Sequence, residues 1–294
     1  FTELETHDWP GWKFTKFPVL RIDSDNQPHV VFLYQEEFSP RLFTIRYYQH
    51  DSTGWNSTDV FSQTGGAAEV NEIPHLTFDL DTNDNAHIAF QRQLNDSGND
   101  GSLWYTTNES GTWVDSELVP GASWGDHGVG VSLKVTPDNT IHIVHRNFDW
   151  DLLHLNNSSG AFLTDTIEVS QFNAQPTQNS LHTNENGELF VLYQSWQAPA
   201  GLNGLHYAYL SQDSMDWTTG TIVDPFYTSQ SGDYHSATFL NTNQIFVFFD
   251  LLEPNGNCGF TNPRKLYYAT NPFPAPCLKP TGVSLSGATD LSLI

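Results

Sequence analysis

A short apolar run recurs five times along the chain, and that recurrence narrows the possible folds more than any other property of the sequence. It reads HVVFLYQ at 29–35, HIAFQRQ at 87–93, HIVHRN at 142–147, FVLYQS at 190–195 and FVFFD at 246–250. The leading positions are 58, 55, 48 and 56 residues apart. An earlier apolar run and a tight polar turn precede each copy: DSDNQ, DTNDN, TPDNT, NENGE and NTNQ. Asp, Asn and Gly in such turns supply the left-handed and side-chain-capped geometry of a β-hairpin. A third run follows in the pattern Leu/Ile-x-Tyr/His, seen at Ile45–Tyr47, Leu103–Tyr105, Leu152–His154, Leu205–Tyr207 and Leu266–Tyr268. After four of these, a polar turn leads to an aromatic that opens a fourth run: Trp55, Trp113, Phe162 and Trp217.

The unit is thus a four-stranded meander, with strands A to D, repeated about every 50 residues. Aromatics make up 14% of the chain, and no window sustains the i, i+3, i+4, i+7 spacing of a helix, so the composition is all-β. Repeated four-stranded antiparallel units at this spacing build a β-propeller. The fifth unit lacks a D strand of its own. The N-terminal GWKFTKF, with Trp12 at the equivalent place, is expected to supply it and close a ring of five blades without an open edge. Residues 1–270 form the expected propeller. Residues 271–294 read as a Pro-rich linker and a C-terminal strand extension.

Charge excludes some functions. Lys and Arg number 11 against 34 for Asp and Glu, a net charge of −23, which repels phosphate backbones and argues against nucleic acid as a partner. No apolar stretch approaches the roughly 18 residues of a membrane span. The opening FTELETHDWPGWKF has neither the basic nor the apolar region of a signal peptide and reads as a mature end. Cys258 and Cys277, the two cysteines, fit one disulfide in an oxidising compartment or two unrelated buried thiols. N-x-[ST] stretches at Asn56, Asn95, Asn108 and Asn156/Asn157 agree with a secreted or cell-surface location.

In a propeller the A–B and C–D turns share one face, and the D–A and B–C loops share the other. Here the first set is short and stereotyped, whereas the second is long and rich in reactive side chains, as binding loops on a rigid scaffold are. The D–A segments carry Glu72 and His75, Asp126 and His127, and Asp233, Tyr234 and His235. The B–C segments carry Glu36 and Glu37, Arg92, His145 and Arg146, Asp149 and Trp150, Gln194 and Trp196, and Asp250 and Glu253. Such a bowl of carboxylates, imidazoles and aromatics suits a sugar, whose apolar faces stack on rings and whose hydroxyls take polar partners.

Three chemistries compete for these residues. A carboxylate pair from Glu72, Asp126, Asp233 and Asp250 would serve glycoside hydrolysis. His127, His145, Tyr234 and His235, with Arg146 against a uronate, would serve the proton abstraction of a polysaccharide lyase. Asp126/His127 and Asp233/His235 would offer a divalent metal a mixed oxygen and nitrogen donor set, the one cofactor the sequence suggests. His75, Arg92, Trp150, Trp196, His235 and Asp250 are read as ligand-binding. By contrast, His29, His87 and His142 share one repeat slot with Phe190 and Phe246, and a slot that takes His or Phe alike is a packing position. His154 alternates with Tyr in the C strand and is read as structural, as are the turn residues Asp23, Asp81 and Asp138. The aromatics Trp12, Trp55, Trp113 and Trp217 are expected to pack between blades.

The C–D turns HDSTGWN, NESGTWV and SQDSMDW resemble the Asp-box (BNR) repeat, Ser-x-Asp-x-Gly-x-Thr-Trp, which occupies that turn in sialidase-type propellers. The resemblance covers about residues 12–270 and implies a secreted bacterial propeller of the kind found among sialidases, polysaccharide lyases and hydrolases. Sialidases use three arginines where this chain offers Arg92 and Arg146 on the right face. Five-bladed glycosidases place an Asp on the first inner strand, where this chain reads KFPVLR. The closing residues of the tail resemble the opening of a fibronectin type III module. The expected function is engagement of a polysaccharide or surface glycan through the irregular face, with or without its cleavage. The alternative is an adhesion or structural module that docks a cell-surface protein.

Overall fold

The computed structural model describes residue 4 and residues 13–36, 41–65, 75–93, 101–121, 127–147, 149–169, 175–197, 202–214, 216–223, 231–241, 244–252, 264–272 and 284–287. Among them every regular element is a strand, and the strands form five four-stranded sheets. The first sheet runs β1 (Lys13–Ile22), β2 (Pro28–Glu36), β3 (Arg41–Asp51) and β4 (Gly54–Gly65). The second is β5 (Leu76–Leu80), β6 (Ala86–Gln93), β7 (Gly101–Thr107) and β8 (Val114–Val119). The third is β9 (Val129–Val135), β10 (Ile141–Arg146), β11 (Leu152–Asn156) and β12 (Leu163–Glu168). The fourth is β13 (Gln175–Thr183), β14 (Leu189–Gln197), β15 (Leu202–Leu210) and β16 (Thr218–Val223). The fifth is β17 (Ser231–Asn241), β18 (Gln244–Leu252), β19 (Arg264–Pro272) and β20 (Ser284–Gly287). Within each sheet the strands lie side by side in chain order, as the repeat predicted.

The chain divides into two compact units, one of Phe1–Asp149 with Leu155–Leu163 and the other of Trp150–His154 with Thr164–Ile294. In the first unit the middle strands are buried on both faces. Ile88 and Phe90 pack with Val31, Leu33, Phe43 and Ile45 of the first sheet. Their neighbour Ala89 points the other way, into a cluster with Leu133 and Ile143. A strand sandwiched this way reads as a continuous apolar run, and that is why the second run of each repeat was the strongest signal. The second unit has its own core of Phe190, Leu192, Leu205, Val247 and Phe249.

The A–B turns repeat in atomic detail. Asn26, Asp84, Asn139 and Gly187 hold the same position with φ of 61°, 63°, 65° and 77°. Each donates its N–H to the carbonyl three residues back, on Asp23, Asp81, Thr136 and Asn184 respectively. Asp23, Asp81 and Asn184 also cap their turns, each accepting two backbone N–H groups on one side-chain oxygen. These are three-residue hairpins ending in a left-handed residue.

The shared histidine slot is interior at His29 and His87, 0% and 2% exposed, and half-buried at His142. It is more than a packing slot, because His29 Nδ1 lies 2.5 Å from the Tyr47 hydroxyl and its Nε2 2.9 Å from Asp23. His87 repeats the tyrosine contact with Tyr105. The outer aromatics pack between sheets as expected for Trp113, which meets Tyr47 edge-on at 5.2 Å, and for Phe162, which meets Tyr105 at 5.4 Å. Trp217 lies edge-on to His154 at 5.2 Å and donates from Nε1 to Asp165, the carboxylate that also holds His154. Trp55 instead stays on its own sheet, against Tyr48 and His50. Trp12 lies outside the described residues.

The expected strand exchange at the N-terminus is corrected by the pairing. Lys13 to Lys16 continue β1 and pair with Glu36 to Leu33, beyond a bulge where Phe17 takes a φ of 55°. The long β2 offers those residues free partners, so the chain stays with its own sheet. The fourth strand of the last sheet is β20, paired with β19 from Tyr267↔Gly287 to Thr270↔Ser284.

Candidate functional site

The first unit gathers four of the predicted residues at the start of strands A and the end of strands B. His75 immediately precedes β5, and its carbonyl accepts the N–H of Gln91 at 3.0 Å. His127 lies two residues before β9, with its N–H bonded to the Gly101 carbonyl at 2.9 Å. Both residues are therefore tied by backbone bonds to the ends of β6 and β7. Between His127 and β9, Gly128 takes a φ of +84°, and a Cβ there would stand 3.3 Å from that of Gln91. Only glycine meets both demands.

Gly128 donates its N–H to His145 Nδ1 at 3.2 Å, and the same nitrogen lies 3.0 Å from the Arg146 carbonyl. His145 is wholly buried, and its ring meets that of His127 at 6.1 Å in an edge-to-face arrangement. Among the described residues His127 Nδ1 and His145 Nε2 are buried without a hydrogen-bond partner. Two such atoms in one place are unusual, since buried polar groups are normally satisfied. The Phe17 ring stacks on His75 at 6.5 Å.

Burial and the adjacent Arg146 guanidinium push the His75 imidazole down to about 4. Burial, aided by His127, pushes His145 down to about 4 against the opposing pull of the Arg146 carbonyl. Burial also lowers His127, with Asp149 working the other way. All three imidazoles are therefore neutral at pH 7, able to accept or donate a hydrogen bond or take up a proton. Arg146, half-buried at the last position of β10, is the fixed positive charge among them.

Arg92, at the end of β6, sits in the seam between the first and second sheets. Its Nε donates to Gln63 Oε1 of β4 at 2.5 Å. Its guanidinium lies 4.9 Å from the Trp104 ring centre and 5.8 Å from that of Phe61.

Of the other predicted residues, Asp149 is close enough to act on His127. Trp150 follows β10 with a φ of 69° and belongs to the second unit, as does His235 on β17. Trp196 on β14, Asp233 and Tyr234 on β17 and Asp250 on β18 are placed by backbone alone, and their side chains lie outside the described residues, as do Glu72, Asp126, Cys258 and Cys277. Among the described residues no group of three His, Cys, Asp or Glu could hold a metal ion. Of the N-x-[ST] asparagines, Asn108 and Asn157 spend their side-chain oxygens on the N–H groups of Ala86 and Ile141.

Sequence reading missed two groupings. Gln63, Phe61 and Trp104 frame Arg92, although Gln63 ends strand D at the same end of the sheet, which was the available clue. At the other end of strands A, Arg21 Nε donates to Asp79 at 2.5 Å and Lys134 Nζ stands 3.6 Å from the same carboxylate. All three precede their A–B turn by two residues, so the slot alternates in charge from sheet to sheet.

Neither a family model nor a curated protein matches the chain. Among solved structures it is similar to a Dyadobacter fermentans protein of unknown function, at 9% identity and a TM-score of 0.51, with 93% of each chain covered. It is also similar to Aleuria aurantia lectin in complex with α-methyl-L-fucoside, at 14% identity and a TM-score of 0.51, over 92% of this chain and 76% of that one. NanB with optactamide aligns at 10% identity and a TM-score of 0.53, over 87% of this chain and 58% of that one. The Aleuria lectin is a six-bladed β-propeller, and at these identities the likeness is one of fold. The chain is an all-β protein of the propeller kind.

Proposed function

We propose that the protein is a five-bladed propeller, working outside the cell, that binds a polysaccharide or surface glycan through the end formed by its D–A and B–C loops. The observation that carries this reading is the cluster of His75, His127 and His145 around Arg146, three neutral imidazoles and one cation, with two buried ring nitrogens that have no hydrogen-bond partner among the described residues. Sugar hydroxyls are both donors and acceptors, and neutral imidazoles match them in either role. Five sheets of one strand order support the blade number. That Aleuria lectin carries a fucoside on this fold agrees with the reading, although fold alone assigns no function.

If the glycan is cleaved, the cluster offers groups for proton abstraction. His127, the less buried pair-mate of His145, would sit nearest the abstracted proton, and Arg146 would stabilise the charge developing on a uronate. The docking-module alternative draws on Leu20 and Ile22, which share one face of β1 and are 56% and 54% exposed.

The test is incubation with a panel of neutral and acidic polysaccharides, following binding by calorimetry together with new reducing ends and unsaturated-uronate absorbance. Saturable binding that weakens at least about 10-fold in His127→Ala is expected, as for loss of a buried polar contact. Absorbance appearing with reducing ends would identify a lyase. No binding to any glycan of the panel would discard the reading in favour of protein docking.

A further inference from the structure

We infer that Arg92 and the frame around it form a receptor for the carboxylate of an acidic sugar, at the seam between the first two sheets. This deepens the glycan-binding reading and rests on it. The chain offers 34 carboxylates to its 11 Lys and Arg residues, so an arginine has an acidic neighbour within easy reach almost anywhere. Arg21 indeed takes Asp79, and Arg46 takes Asp59 through two nitrogens at 2.6 and 3.3 Å. Arg92 is held instead by the neutral amide of Gln63, which is itself buried. Its two terminal nitrogens have no partner among the described residues.

The frame fixes the plane of the guanidinium as well as its position. Gln63 occupies Nε, the Trp104 face lies against the plane at 4.9 Å and Phe61 borders it at 5.8 Å. Trp104 is fixed in turn, since its Nε1 donates to Ser102 Oγ at 2.8 Å and its ring stacks on Phe90. What remains available is the fork of the two terminal nitrogens, the arrangement that grips a planar carboxylate bidentately. A guanidinium backed by rings, with no counter-charge among the described residues, keeps its full charge for a ligand. A neutral amide at Nε is the element a merely structural arginine would not need.

The probes are an oligogalacturonate against its carboxyl-reduced form, and sialyllactose against lactose, titrated by calorimetry into the intact chain. Preference for one acidic probe over its neutral counterpart by at least roughly 10-fold is expected, and the probe that shows it distinguishes a uronate from a sialate. Arg92→Gln should abolish that preference. Gln63→Glu, of nearly the same size, should do likewise by giving Arg92 an internal carboxylate, and it serves where Arg92→Gln fails to fold. Arg92→Lys should recover the preference only partly, because an ammonium is not a fork. Equal affinity for acidic and neutral forms, or a preference that survives both Arg92→Gln and Gln63→Glu, would overturn the inference while glycan binding stood. Equal binding of a poly-glutamate peptide at this arginine would also overturn it, by assigning the site to acidic protein. Failure to bind any of the four sugars would count instead against the glycan reading on which the inference rests.

Discussion

At the scale of single residues, the histidines divide by their second ring nitrogen. His29 and His154 each have a carboxylate within 2.9 Å, from Asp23 and Asp165, whereas His145 has none among the described residues and no exposed surface. Burial holds the folded His145 near 4, against about 6.5 in the unfolded chain, so the unfolded state binds the extra proton between those values. A lowered base therefore contributes stability that is complete above about pH 6.5 and is lost as pH falls toward 4. The span corresponds to about 3 kcal/mol, an order-of-magnitude figure. The lowered carboxylates Asp23, Asp81, Asp138 and Asp165 lose their contribution only below the unfolded value of 3.8, outside this window. Urea unfolding at a series of pH values should show a fall in stability over this window that His145→Gln reduces, the remainder belonging to His75, His127 and His87, which burial also lowers. Parallel pH profiles for the two proteins would mean that His145 does not titrate with folding.

At the scale of the element, the A–B turns do more than reverse the chain. Thr82 donates from both its N–H and its hydroxyl to Asn139 Oδ1, at 2.9 and 2.7 Å, and Ser24 does the same to Asp84 at 2.9 and 2.5 Å. The second residue of one turn thus latches the left-handed fourth residue of the next. Pro137 and Gly187 hold the corresponding places further along and bring neither a donor nor an acceptor side chain. Asn139→Gly keeps the backbone angle and removes the latch, so it should cost about 1 kcal/mol. Asn26→Gly changes the same turn position where no side-chain bond is made among the described residues, and chemical denaturation should find it within about 0.5 kcal/mol of the parent. Equal losses in the two variants would assign the effect to backbone entropy instead. The meander, its turns and the buried middle strands were legible because each is local: a period-2 apolar run, a turn motif, an aromatic at a fixed offset. The fourth strand of the last sheet was misassigned because GWKFTKF and GVSLSG are equally strand-like, and pairing between distant segments leaves no local mark. Arg92 was singled out, yet its frame was not, since Gln63 and Trp104 reach it from a different sheet and a different strand. The His75, His127 and His145 grouping was legible from topology, but their neutrality depends on burial that no spacing encodes.

At the scale of the whole molecule, charge is distributed against compactness. A net charge of −23 repels itself in the folded state more than in the expanded chain. The described cations do little to offset it locally: Arg21 and Lys134 share Asp79, and Arg46 faces a half-exposed Asp59. Exposed pairs of this last kind are worth little, whereas the long-range repulsion sums over the whole surface. The same field disfavours dense polyanions and leaves Arg92, which has no counter-charge among the described residues, better matched to a single sugar carboxylate than to a phosphate backbone. Raising ionic strength from 0.01 to 0.15 M shortens the screening length from about 30 to about 8 Å, which removes most repulsion between distant carboxylates while sparing contacts at 3 to 4 Å. The folded state should therefore gain stability with salt. A relief of about 1 kcal/mol raises the thermal midpoint by roughly 2–4 °C in a chain of this size. Calorimetric scans across that salt range at pH 7 measure it directly. A midpoint that falls with added salt would show that the short ion pairs, Arg21–Asp79 foremost, outweigh the repulsion of the acidic surface.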